Sequence, residues 1–201
     1  MKNKNVSIIL NVLIIIFEIM GFVISYNNMN RIAIEYYTEE SNIIALVCST
    51  IYLVYLIGKK KIPRWLSEFK YITNINLSIT FLVVLFVLIP MDNFKFKAYL
   101  IDGTMKYHHL ICPILSVCSF IFFDSLCKFN KKDIHYGLTI TIVYAIVMII
   151  LNIIGLIVGP YPFLMVKNQT ILTSIFWCIA ILGFSYIIAF LLYKLRIKYS
   201  N

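Results

Sequence analysis

Three stretches carry residue types from which a reaction could be built. The first is MKYHHLICPIL, Met105–Leu115, where His108 and His109 stand side by side as a polar segment becomes an apolar run. An imidazole titrating near neutrality can serve as general base, proton shuttle or ligand. Adjacent residues on an α-helix point about 100° apart. At most one of the pair is therefore expected to face a site, with the other among lipid headgroups. The alternative is an interfacial polar pair that only marks a helix start. Pro113 follows a turn later and has no N–H for the carbonyl four residues back, that of His109. The remaining histidine, His135, sits beside Lys131, Lys132 and Asp133 and reads as solvated surface.

The second stretch is EYYTEESN, Glu35–Asn42. Ser41 and Asn42 follow Thr38 by three and four residues and share its face on a helix. Thr38 becomes a nucleophile if a base takes its proton. Equally, Thr38 or Ser41 suits a helix N-cap, with Glu39 and Glu40 at the positive end of the dipole. The third stretch is GPYPFL, Gly159–Leu164, in which two prolines around Tyr161 stiffen a turn or simply end a helix. Two further polar residues lie deep in apolar runs. Glu18 is either a functional carboxylate or a protonated packing residue, and Asn152 suits helix–helix hydrogen bonding. Asp124 and Lys128, four apart, read as a helix boundary.

The elements that must position these residues follow from composition. Of 201 residues, 61% are hydrophobic and 13% charged, against about 25% charged in a soluble domain. The apolar residues form long runs, as lipid-solvated helices require. Six spans emerge near 7–26, 42–58, 71–91, 108–126, 137–159 and 171–193, each close to the ~20 residues that cross a bilayer. Backbone polar groups in lipid must pair within their own segment, so the spans are helices. The expectation is an all-α bundle of six transmembrane helices in one domain, 1–201. The first run is too long for a signal-peptide core and ends in no small-residue cleavage site, so it reads as a retained helix.

The net charge of +9 could suggest an acidic partner, but the 18 Lys and Arg residues lie in short segments between apolar runs. No polar domain exists to bind nucleic acid, and membrane lipids are the expected partners. The N-terminus, the second and fourth loops and the C-terminus carry 13 of the 18 basic residues, which predicts both termini in the cytoplasm. All three stretches then fall on the opposite, outer face. Of the five cysteines, four lie inside apolar runs and Cys127 just beyond one. None forms a CxxC pair, and all five read as packing residues with no disulfide framework and no metal spacing. There is no Gly-rich phosphate loop, HExxH or GxSxG.

The three stretches together resemble the androgen-induced-gene-1 superfamily, and within it a bacterial branch of integral membrane proteins. YYTEESN is similar to that branch's aromatic-Thr-x-x-Ser-Asn motif at the second helix. HHLICPIL is similar to its His-to-Pro motif at the fourth, and GPYPFL to its Tyr-Pro-Phe-Leu turn after the fifth. Animal members are threonine hydrolases that cleave fatty-acid esters of hydroxy fatty acids with one Thr and one His. The resemblance implies a nucleophile at Thr38 and a base at His108 by the animal spacing or His109 by the bacterial one, and His109 is favoured. The expectation is then a lipid-ester hydrolase without cofactor in a bacterial cell membrane; in that mechanism the hydrogen-bonding side chains of Ser41, Asn42 or Tyr161 are the candidate oxyanion donors. The alternatives are a non-catalytic protein that binds a lipid or protein through the same pocket, or a small transporter component using Glu18 and Asn152.

Overall fold

A computed structural model describes residues 3–199. Six helices are long and apolar enough to cross a membrane: α1 (Lys4–Met29), α2 (Tyr37–Ile57), α3 (Arg64–Met91), α4 (Lys106–Phe123), α5 (Asp133–Ile153) and α6 (Ile171–Lys198). Among the described residues there is no strand. The protein is an all-α, multi-pass membrane protein. Large apolar side chains such as Ile9, Val23, Leu172, Phe176 and Ile179 point outward, where hydrocarbon solvates them as well as a protein interior would.

Because hydrophobicity cannot drive helices together in lipid, the interior is held by shape and hydrogen bonds. The central helix α3 illustrates this, with Ser67, Lys70, Thr73, Asn74, Asn76, Ser78 and Thr80 all buried. It touches α2, α4, α5 and α6. Asn74 Oδ1 accepts from Ser116 on α4 at 3.0 Å, and the Tyr71 hydroxyl donates to the Ala189 carbonyl on α6 at 2.7 Å. Seven polar residues that water would accept in a loop thus become the mortar of the bundle.

The polar interior explains where the spans depart from hydropathy. α3 begins at Arg64 rather than near 71, because Ser67 and Lys70 are buried among neighbours instead of extending into a loop. Lys70 is fully buried, with Nζ 2.6 Å from Asn11 Oδ1 and 3.5 Å from Asp124 Oδ2. Asp124 also accepts from Ser7 and Ser119 at 2.7 and 2.8 Å. It stands at the end of α4, as its spacing from Lys128 suggested, but is buried in the interior rather than solvated. Arg196 is buried too and donates to the Phe120 and Asp124 carbonyls at 2.5 and 2.7 Å. Those carbonyls are free because α4 ends in a π-turn at Ser119–Phe123 and the chain then extends at Asp124. Lys70 and Arg196 therefore do not act as loop cations, although the remaining charge bias keeps its direction.

α5 also ends earlier than expected, at Ile153 rather than near 159. Gly155 turns the chain with φ +82°, a conformation that glycine adopts without strain. Asn152 then grips the following loop, donating to the Ile157 carbonyl at 3.1 Å and accepting from the Lys167 N–H at 3.3 Å. The start of α2, the start of α4 and the α5–α6 loop meet at one end of the bundle. The Lys70–Asp124 network occupies the other.

Candidate active site

The start of α2 fixes Thr38. The helix begins five residues before its predicted start, and Tyr36, extended at φ −92° and ψ 129°, occupies the N-cap position without a side-chain cap bond. Neither Thr38 nor Ser41 is the cap. Two tyrosine hydroxyls from elsewhere satisfy the unpaired amides of the first turn. Tyr144 on α5 accepts from the Tyr37 N–H at 3.1 Å and donates to the Glu35 carbonyl at 2.7 Å. Tyr161 accepts from the Thr38 N–H at 3.3 Å. With the caps supplied from outside, the Thr38 hydroxyl is left for other partners.

The start of α4 fixes the histidines. Lys106–Ile111 is π-helical, with the Cys112 N–H bonded to the Tyr107 carbonyl. The wider turn narrows the angle between successive side chains, and neighbouring helices cover both sides. His108 faces α1 and His109 faces α2, so both are buried, at 0% and 5% exposure. The expectation of one imidazole among headgroups is corrected on that ground. In the same register the carbonyl deprived by Pro113 is five residues back, at His108 rather than His109. Asn42 Nδ2 donates to it at 3.3 Å.

His109 links three elements. Its Nδ1 lies 2.7 Å from the Tyr99 carbonyl, freed at the end of the short helix Phe96–Leu100. A carbonyl can only accept, so Nδ1 carries the proton and a neutral ring presents a lone pair at Nε2. Nε2 lies 3.2 Å from Thr38 Oγ1, within reach for hydroxyl activation. The Tyr161 hydroxyl stands 3.4 Å from the same Oγ1. Burial pushes its phenol up to about 12, so it remains a donor. Its ring is clamped by stacking on Phe163 at 5.1 Å and by the edge of Tyr36 at 5.9 Å.

Ser41 and Asn42 hold the turn rather than facing the hydroxyl. Ser41 Oγ and Asn42 Nδ2 both donate to the Thr38 carbonyl, at 2.9 and 2.7 Å, and Ser41 also meets Thr80 at 2.9 Å. Their polar hydrogens are committed, which leaves Tyr161 as the expected oxyanion donor with a free approach. Glu18, fully buried, lies 3.6 Å from His108 Nε2, and Glu39 lies 3.6 Å from His108 Nδ1. Gly21 makes room for this imidazole, since a Cβ there would overlap His108 Nε2. Asn152 is committed to its loop and borders neither cavity described below.

Thr38 stands where two cavities meet. A wide chamber of about 520 Å³ is bordered by Tyr36, Glu39, Tyr99, Thr104, His109 and Tyr161. A narrow apolar cleft of about 70 Å³ runs the other way, past Ile79, Val83, Tyr144, Phe163 and Trp177. Thr38, Leu88 and Tyr161 border both. Among the described residues, no three His, Cys, Asp or Glu side chains converge as a metal ion would require. Spacing alone did not reveal Tyr99, Tyr144 or Gly21. Tyr99 reaches His109 through a backbone carbonyl, and the other two act across helices remote in sequence.

The fold and site together define a multi-pass helical membrane protein with a half-buried threonine against a buried histidine at the junction of a polar and an apolar cavity. No family model, curated protein or solved structure matches the chain.

Proposed function

We propose that the protein is a membrane-embedded acyl-ester hydrolase. The observation that carries this reading is the alignment from the Tyr99 carbonyl through His109 to Thr38 Oγ1, at 2.7 and 3.2 Å, opening onto paired polar and apolar cavities. An amphiphilic ester would lie across the junction with its acyl chain in the cleft and its alcohol part in the chamber. His109 Nε2 takes the Thr38 proton as Oγ1 attacks the acyl carbonyl. The Tyr161 hydroxyl donates to the resulting oxyanion. His109 returns the proton to the departing alkoxide, leaving an acyl-threonine. Water, deprotonated by His109, then releases the carboxylic acid and regenerates Thr38.

This assignment agrees with the resemblance to the androgen-induced-gene-1 superfamily and its bacterial branch. The Lys and Arg bias supports cytoplasmic termini and a site at the outer leaflet of a bacterial cell membrane. The test is labelling of purified protein with a fluorophosphonate lipid probe. Wild type is expected to label, and Thr38→Ala and His109→Ala to lose labelling. His108→Ala is expected to lose stability first, because it strips Glu18 and Glu39 of their shared partner. A folded wild-type protein that takes no label refutes the hydrolase reading and leaves a lipid-binding role for the two cavities.

A further inference from the structure

The chamber's charged groups bear on which ester could enter it. Two carboxylates border it, Glu39 and Asp92, and among its described lining residues there is no Lys or Arg. Asp92 is occupied, taking Lys95 Nζ at 2.8 Å and the Tyr99 hydroxyl at 3.3 Å. Glu39 is only 7% exposed. Ser25 donates to its Oε1 at 3.1 Å, and its Oε2 has no hydrogen-bond partner. The imidazoles cannot serve an anion either. Both ring nitrogens of His108 face carboxylates at 3.6 Å. Those of His109 are engaged by Thr38 and the Tyr99 carbonyl.

An anionic group entering the chamber would therefore shed water without gaining a cation and would lie beside the Glu39 side chain in the chamber wall, one of whose oxygens is buried without a hydrogen-bond partner. We infer that the chamber selects acyl esters whose alcohol part is uncharged or cationic and rejects those bearing a carboxylate or phosphate, with Glu39 the specificity-determining residue. The inference rests on the proposal that the two cavities form one substrate site. It departs from the resemblance, since esters of hydroxy fatty acids carry a free carboxylate.

The experiment uses the full chain in detergent with three esters of one acyl chain: a hydroxy acid, its amide and its amine analogue. Their non-hydrolysable ether counterparts are tested in parallel by thermal protection. The amide and amine esters are expected to show kcat/KM about tenfold or more above the carboxylate ester, the effect of roughly one charge repulsion across the chamber. Glu39→Gln should narrow that ratio. Met29→Lys, which adds a cation to the chamber wall, should lower it further. Hydrolysis without charge preference, or with preference for the carboxylate ester, overturns the inference and leaves the hydrolase reading intact. No hydrolysis, with ethers protecting in the expected charge order, overturns the hydrolase reading and upholds the charge selection. Ethers protecting in reverse order overturn the selection outright.

Discussion

Tyr161→Phe isolates one hydroxyl at the proposed reaction centre. The ring is buried and stacked on Phe163, so phenylalanine fills the same space. Two interactions are lost. In the resting protein the Thr38 N–H loses its acceptor at 3.3 Å. That N–H lies beside the wide chamber and can turn to water, so the stability cost should be about 1 kcal/mol. In the transition state the oxyanion loses a prealigned donor, worth about 10²–10³ in rate, or about 2.7–4 kcal/mol. The assay is the acylation rate of the variant by the fluorophosphonate probe, scaled to its folded fraction, alongside steady-state ester hydrolysis. The expected result is a fall in kcat of about two to three decades with KM little changed. A rate within a few-fold of wild type, in a variant whose stability has dropped, refutes the oxyanion role and leaves Tyr161 as a helix cap. The phenol also bears on pH dependence. Burial raises it to about 12, against about 10 for free tyrosine, so the folded state holds this proton more tightly than the unfolded. Its contribution to stability is complete below about pH 10 and is lost as pH rises from there through about 12. Tyr161→Phe should remove that alkaline increment.

Lys70→Met should destabilise the protein by about 3–5 kcal/mol, because Asp124 would remain buried without its cation. The pair Lys70→Met and Asp124→Asn should recover much of that loss in thermal unfolding in detergent, and no recovery would argue against a coupled ion pair. Gly21→Ala would drive a methyl into the His108 ring and should lower Tm, since overpacking costs about 1–3 kcal/mol. Gly183→Ala, with nothing within 4 Å of the added Cβ, is the control and should leave Tm unchanged or slightly raised.

The six spans were legible because membrane insertion is a local condition. A run of about 20 apolar residues spans the hydrocarbon regardless of what lies beside it. The gathering of YYTEESN, HHLICPIL and GPYPFL at one end of the bundle also follows from the count of spans between them. Where the reading fell short, the missing information was long-range. Lys70, Asp124 and Arg196 look like loop charges in one dimension, and only packing between α1, α3, α4 and α6 shows them paired in the interior. Thr38 looks like a cap until Tyr144 and Tyr161 arrive from more than 100 residues away to satisfy the helix start.

The histidine pair draws the line most clearly. Residue type and position in the sequence determined that an imidazole stands beside an apolar helix at the same membrane face as Thr38. Which nitrogen meets which hydroxyl depended on the π-turn at Lys106–Ile111 and the space left by Gly21. It depended equally on the Tyr99 carbonyl, which holds the His109 tautomer. Those are properties of three helices and a loop in contact, and side-chain direction at such a junction is set by packing rather than by the local order of residues.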